Sequence, residues 1–120
     1  MNGKLEIKAD MVTEAYEALG MKPVFDSFGD GVTCGCGLTA LASHHFPDET
    51  KYIRFGDWSK NIFSALSKLF ETDQEWVRAF ARGFDDMPAG KDHEGYRTGA
   101  EAREKVLVYI EQKKMKEDEA

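Results

Sequence analysis

Cys34-Gly35-Cys36 is followed by His44-His45 at the far end of one short apolar stretch, and His93 stands much later in the chain. Thiolates and imidazoles are the side chains zinc prefers. Cys34, Cys36, His44 and His45 are therefore the candidate metal set, and zinc is the one cofactor they imply. A C-x-C pair can also cycle between dithiol and disulfide, and a cysteine that opens a helix gains thiolate character from the positive end of the helix dipole. One feature counts against each chemistry. Zinc ligands usually stand at C-x₂₋₄-C, and no second half of a finger or ribbon follows. A disulfide across a single residue is strained. Small buried cysteines at a tight turn are the competing account.

A second pattern is SALSKLFETDQEWVRAFARG, residues 64–83, which has the length and short turn of a helix-turn-helix. The reading helix would span residues 73–84 and turn Asp73, Gln74, Arg78, Ala79 and Arg82 outward. Arg78 and Arg82 suit phosphate or guanine. Asp73 and Glu75, however, would face the negative potential of the groove, and the whole chain carries a formal charge of −6. Nonspecific binding to nucleic acid or to an anionic membrane needs basic surface. A nucleic-acid partner is therefore disfavoured, and a helical hairpin within a core is the simpler account.

Carboxylates supply the third pattern. Asp85, Asp86, Asp92, His93 and Glu94 gather around a glycine-containing polar segment, where solvated side chains are expected. Asp26, Phe28, Asp30 and Gly31 superficially follow a calcium loop. That match fails because its third position is Phe28 and its twelfth is Gly37 rather than a bidentate glutamate.

The elements that must position these groups are mostly helices. Val12, Ala15, Tyr16 and Leu19 share one face of a helix over 10–19, with Asp10 placed to cap it, Gly20 to end it and Pro23 beyond. Leu38, Leu41 and Ala42 mark a helix that stops before Pro47. Trp58, Ile62, Ala65, Leu66 and Leu69 mark another, with Asp57 as its cap, and Trp76, Val77, Phe80, Ala81 and Phe84 a fourth. Thr72 and Glu75 have capping-box spacing for that fourth helix. The last helix begins near 94–96 and runs past Ile110, with Tyr96, Ala100, Arg103, Leu107 and Ile110 inward and Glu101–Lys105 paired on the outside. The LEIK segment suggests a brief strand, and PVFDSFGDGVT suggests a small hairpin near residues 24–33.

C-x-L-x-A-L at 36–41, V-x-x-F-x-x-G-F-D at 77–85 and G-Y-x-x-G at 95–99 together resemble small uncharacterised bacterial and phage proteins with the same three helices. The resemblance covers about two thirds of the chain and implies no activity. It maps onto Cys36, Leu38, Leu41, Val77, Phe80, Gly83, Phe84, Asp85, Tyr96 and Gly99. Most of these read as core positions. Glycine inside a helix costs about 1 kcal/mol against alanine, so Gly83 predicts close approach of another element, with the Tyr96 helix the economical choice. Asp85 is then placed to cap that helix or to accept from Tyr96.

These patterns predict a mainly α, single-domain bundle of about five helices over residues 1–120, with a minor β-hairpin and loosely ordered ends at 1–9 and 112–120. The N-terminal residues lack the apolar run of a signal peptide and no segment reaches membrane-spanning length, so a cytoplasmic address and no membrane partner are expected. No nucleophile–base set or phosphate loop can be assembled. The expected function is a non-enzymatic, acidic protein-binding module, such as a phage or mobile-element inhibitor or adaptor docking on the basic surface of a host defence nuclease. Asp73, Glu75, Asp85 and Asp86 are its expected contacts, and electrostatic complementarity would set its on-rate. The alternatives are a zinc or thiol protein on Cys34/Cys36 with His44/His45, and a DNA binder through 73–84.

Overall fold

The computed structural model describes residues 6–53, 55, 62–88 and 90–119. Among them are five α-helices: α1 (Ala9–Leu19), α2 (Gly37–His45), α3 (Ile62–Phe70), α4 (Gln74–Phe84) and α5 (Glu94–Glu119). A short 3₁₀ turn, Glu49–Tyr52, follows α2. The mainly helical bundle expected from periodicity is the observed architecture. The strand expected in LEIK, the Asp57 cap and Trp58 lie wholly or partly outside the described residues.

Helix α1 ends as its sequence dictates, with Gly20 in the left-handed conformation (φ 65°) and its N–H bonded to the Tyr16 carbonyl. Its start differs from expectation. Lys8, not Asp10, holds the N-cap position, and Asp10 instead forms an ion pair with Lys105 of α5 at 2.9 Å. The β structure near residues 24–33 is a two-residue parallel pairing that flanks this stretch. β1 (Lys22–Pro23) lies beside β2 (Cys34–Gly35) in the register Lys22↔Cys34 and Pro23↔Gly35. The loop between them makes its reversals with left-handed residues at Asp26, Gly29 and Gly31. Asp30 braces it, its carboxylate accepting from the N–H groups of Val32, Thr33 and Cys34. The Thr33 hydroxyl, followed by the Val32 and Cys34 amides, holds the Asp30 carboxyl well below the usual range.

Helix α5 is the spine of the bundle, lying against both α4 and α1, while α2 touches α1, α3, α4 and α5. Gly95, Tyr96, Gly99, Ala102 and Val106 are its buried positions, whereas Leu107, expected inward, is 41 % exposed. The three small residues draw the spine against α4 and rotate the apolar stripe by one position. A β-carbon at Gly99 would overlap the Phe80 carbonyl, and one at Gly83 would overlap the Tyr96 carbonyl. The close approach predicted from Gly83 is the α4–α5 crossing itself. Tyr16, Leu38, Leu41, Leu66, Phe70, Val77, Phe80, Phe84 and Val106 fill the single core that results. Buried Tyr16 donates its hydroxyl to the Gly35 carbonyl at 2.7 Å, tying α1 to β2.

Candidate functional site

Helix α4 organises the site. Asp73 is its N-cap, the carboxylate accepting from the Trp76 N–H at 2.8 Å. The cap therefore falls one residue beyond the expected Thr72, with Asp73 in extended conformation accepting from the Trp76 N–H where a Thr72 cap would have met that of Glu75. At the other end Arg103 of α5 donates to the Phe84 carbonyl at 2.8 Å and lays its guanidinium 4.6 Å from the Phe25 ring centroid. Phe25 stacks on Phe84 (4.9 Å), which follows Phe80 and Trp76 along the helix at 6.3 and 5.7 Å. This aromatic column pulls the 25–28 segment across the C-terminal half of α4. Two hydrogen bonds hold that segment in place. The Asp26 N–H donates to Asp85 Oδ1 at 2.9 Å, and fully buried Thr39 donates its hydroxyl to the Phe28 carbonyl at 2.8 Å.

The result is a pocket of about 220 Å³ between α4, the 26–28 segment, the start of α2 and Phe63 of α3. Phe28, Phe63, Ala81 and Met87 give it its accessible apolar lining, backed by the fully buried Leu38, Phe80 and Phe84. Arg78, Arg82 and Asp85 stand at its rim at i, i+4 and i+7, which places them along one edge of α4. Asp26 faces them from the loop. The Arg78 guanidinium lies 4.7 Å from the Phe63 ring centroid. Arg82 Nε is buried and, among the described residues, has no hydrogen-bond partner. Burial raises the Asp85 carboxyl above the usual range, a shift the Asp26 N–H and Arg103 partly offset.

The residues singled out by sequence are distributed unevenly around this site. Asp85 belongs to it, but neither contact expected between Asp85 and the last helix is made. The Gly95 N–H at the start of α5 is met by His93 Nδ1 at 3.0 Å, and Tyr96 donates to the Met87 carbonyl. Asp86 is exposed beside Asp85. Asp73 and Glu75 stand at the opposite end of α4, about 18 Å away at 1.5 Å per residue. The four carboxylates thus form two separate pairs rather than one face. Ala79, expected outward on a DNA-reading helix, is fully buried against α5, since Gly95 admits its methyl group.

Cys36 lines the pocket and Cys34 sits in β2. Both are free thiols. Cys36 holds the N-cap position of α2, but burial pushes its thiol up, opposing the thiolate character expected of a helix N-terminus. Its sulfur lies 3.5 Å from Thr39 Oγ1. His44 and His45 pair edge to face at the other end of α2, about 12 Å along the helix from Cys36. The structure does not bring the two cysteines and two histidines together. Among the described residues no group of three or more His, Cys, Asp or Glu side chains is arranged to hold a metal ion. No helix among them is long and apolar enough to cross a membrane.

Sequence reasoning saw the Arg78–Arg82 edge and the aromatic residues of 25–28 separately, without a signal joining them. The pairing of Asp26 with Asp85 spans 59 positions and leaves no local pattern. No protein-family model matches this chain, and comparison with curated proteins and with solved structures returns no match.

Proposed function

We propose that this chain is a non-enzymatic binding protein whose ligand seats in the pocket on α4. The observation that carries this reading is a concave site with an apolar floor and a few convergent polar groups at its rim, the usual make-up of a small-molecule site. Its volume exceeds the roughly 150 Å³ that suffices for a benzene ring. Its lining holds two side chains that could act as nucleophiles, Ser27 and Cys36; burial pushes the Cys36 thiol up, and no histidine lines the pocket to serve either as base. Binding is therefore favoured over catalysis. The test is titration of the ¹⁵N-labelled protein with indole. Amide shifts centred on Phe28, Leu38, Phe80 and Phe84 support the reading, and shifts elsewhere or none oppose it.

A second reading, a protein-binding module that docks on a basic partner surface, is favoured by uncompensated charge. The chain carries a formal charge of −6, and the ion-paired carboxylates among the described residues are Asp10 and Asp48. An inhibitor or adaptor acting this way would capture one stoichiometric partner from lysate at low salt and release it at high salt. A partner retained equally at both would oppose a charge-driven dock.

A further inference from the structure

The rim of the pocket carries two positive and two negative side chains, yet the opposite signs do not pair. Among the described residues the ion pairs are Lys51–Asp48 and Lys105–Asp10. Arg78 and Arg82 therefore stand within one pocket lining as Asp26 and Asp85 without a salt bridge between the two sets. Two of the four are held by other contacts. Arg78 stacks on Phe63, and Asp85 is fixed by the Asp26 N–H. Arg103, which faces Asp85 from α5, is directed to the Phe84 carbonyl and the Phe25 ring. Arg82 is not so held, since its buried Nε finds no acceptor among the described residues. That nitrogen is closed to solvent and lies against Gly90, so a ligand in the pocket would meet Arg82 through the part of the side chain that lines it, which no ion pair occupies.

A guanidinium edge matches the two oxygens of a carboxylate. A ligand that was only a carboxylate would be repelled by Asp26 and Asp85, and one that was only an amine would be repelled by the two arginines. A ligand with both signs close together on an apolar body matches rim and floor at once. We infer that the pocket takes a zwitterion of the free apolar α-amino acid class, its carboxylate on Arg82, its ammonium toward Asp85 and Asp26, and its side chain on Phe28, Phe63 and Ala81. This inference rests on the pocket being the binding site.

Calorimetric titration at neutral pH with L-phenylalanine, 3-phenylpropanoate and 2-phenylethylamine separates the possibilities. The expected result is that phenylalanine binds at least ten-fold more tightly than either single-charge probe. Arg82→Gln should weaken phenylalanine and phenylpropanoate alike and leave phenylethylamine unchanged or tighter. Asp85→Asn should do the reverse, weakening phenylalanine and phenylethylamine but not phenylpropanoate. Unfolding midpoints of both variants identify any that fail to fold, and Arg82→Lys, which keeps the charge but not the fork, then serves as the substitute and should bind phenylalanine less well. Phenylpropanoate or phenylethylamine binding as tightly as phenylalanine overturns the inference and leaves the pocket reading standing. Loss of all three probes while indole still shifts the pocket amides has the same meaning. Loss of indole as well overturns both.

Discussion

Gly83 of α4 lies directly against Tyr96 of α5, so close that a β-carbon on Gly83 would overlap the Tyr96 carbonyl oxygen and come within 2.9 Å of the Ala100 nitrogen. Gly99 returns the contact, where a β-carbon would overlap the Phe80 carbonyl and lie 3.0 Å from the Phe84 nitrogen. Backbone meets backbone at this crossing. It fixes how far Phe80, Arg82 and Phe84 stand from the spine, and so it fixes the wall of the pocket.

Gly83→Ala should therefore destabilise the protein, although alanine improves helix propensity by about 1 kcal/mol. Overpacking of a tight contact typically costs ~1–3 kcal/mol, and backbone atoms cannot turn aside as a flexible side chain can. Urea unfolding should show a lower midpoint with an unchanged slope. A raised midpoint would mean that propensity wins and the helices can part.

Capping of α4 separates two adjacent residues. Asp73→Ala removes the acceptor for the Trp76 N–H and should cost about 1 kcal/mol. Thr72→Ala should change stability by less than half of that. The reverse ranking, read from thermal unfolding, would return the cap to Thr72.

Tyr16→Phe deletes the hydroxyl that donates to the Gly35 carbonyl in a fully buried setting. The Gly35 carbonyl would keep the Val24 N–H as a donor, so the loss is that of one hydrogen bond, about 0.5–1.5 kcal/mol. Amide exchange should accelerate around β2 before it does so in α5. Uniform acceleration would show that the bond supports the whole core rather than the β1–β2 corner.

Burial raises the Asp85 carboxyl in the folded state, with the Asp26 amide and Arg103 opposing it. For a raised folded value, the favourable contribution is complete below the ordinary aspartate range near ~3.9 and is lost as pH rises through the folded value. Asp85→Asn can keep an acceptor for Asp26 while removing the charge that resists burial. The variant should thus be more stable than wild type at neutral pH, with the difference closing as pH falls toward 4. A difference that grows on acidification would mean that Arg103 and the Asp26 amide outweigh burial.

The helical architecture is openly written in the sequence. Gly20 and the 3.6-residue spacing delimit α1, and the apolar spacing of Trp76 through Phe84 delimits α4. Gly83, a poor helix residue in a good helix, announced the α5 contact. What was not legible depends on distance in the chain. Leu107 and Val106 are equally apolar, and only the rotation imposed by Gly95 and Gly99 decides that Val106 turns inward. Thr72 and Asp73 are both competent caps, and the turn conformation selects between them. The pocket needs Asp26, Phe28, Leu38 and α4 in one place, and the bonds that join them carry no periodic signature.

The surface formed by α4 and the 26–28 segment is the proposed binding pocket. Its most direct test is an indole titration of ¹⁵N-labelled protein, repeated on Ala81→Trp, which fills the pocket from a position in its own wall. The wild type should show saturable shifts at Phe28, Leu38, Phe80 and Phe84, and the folded variant should show none. Shifts absent from the wild type, or unchanged in the folded variant, would contradict the account.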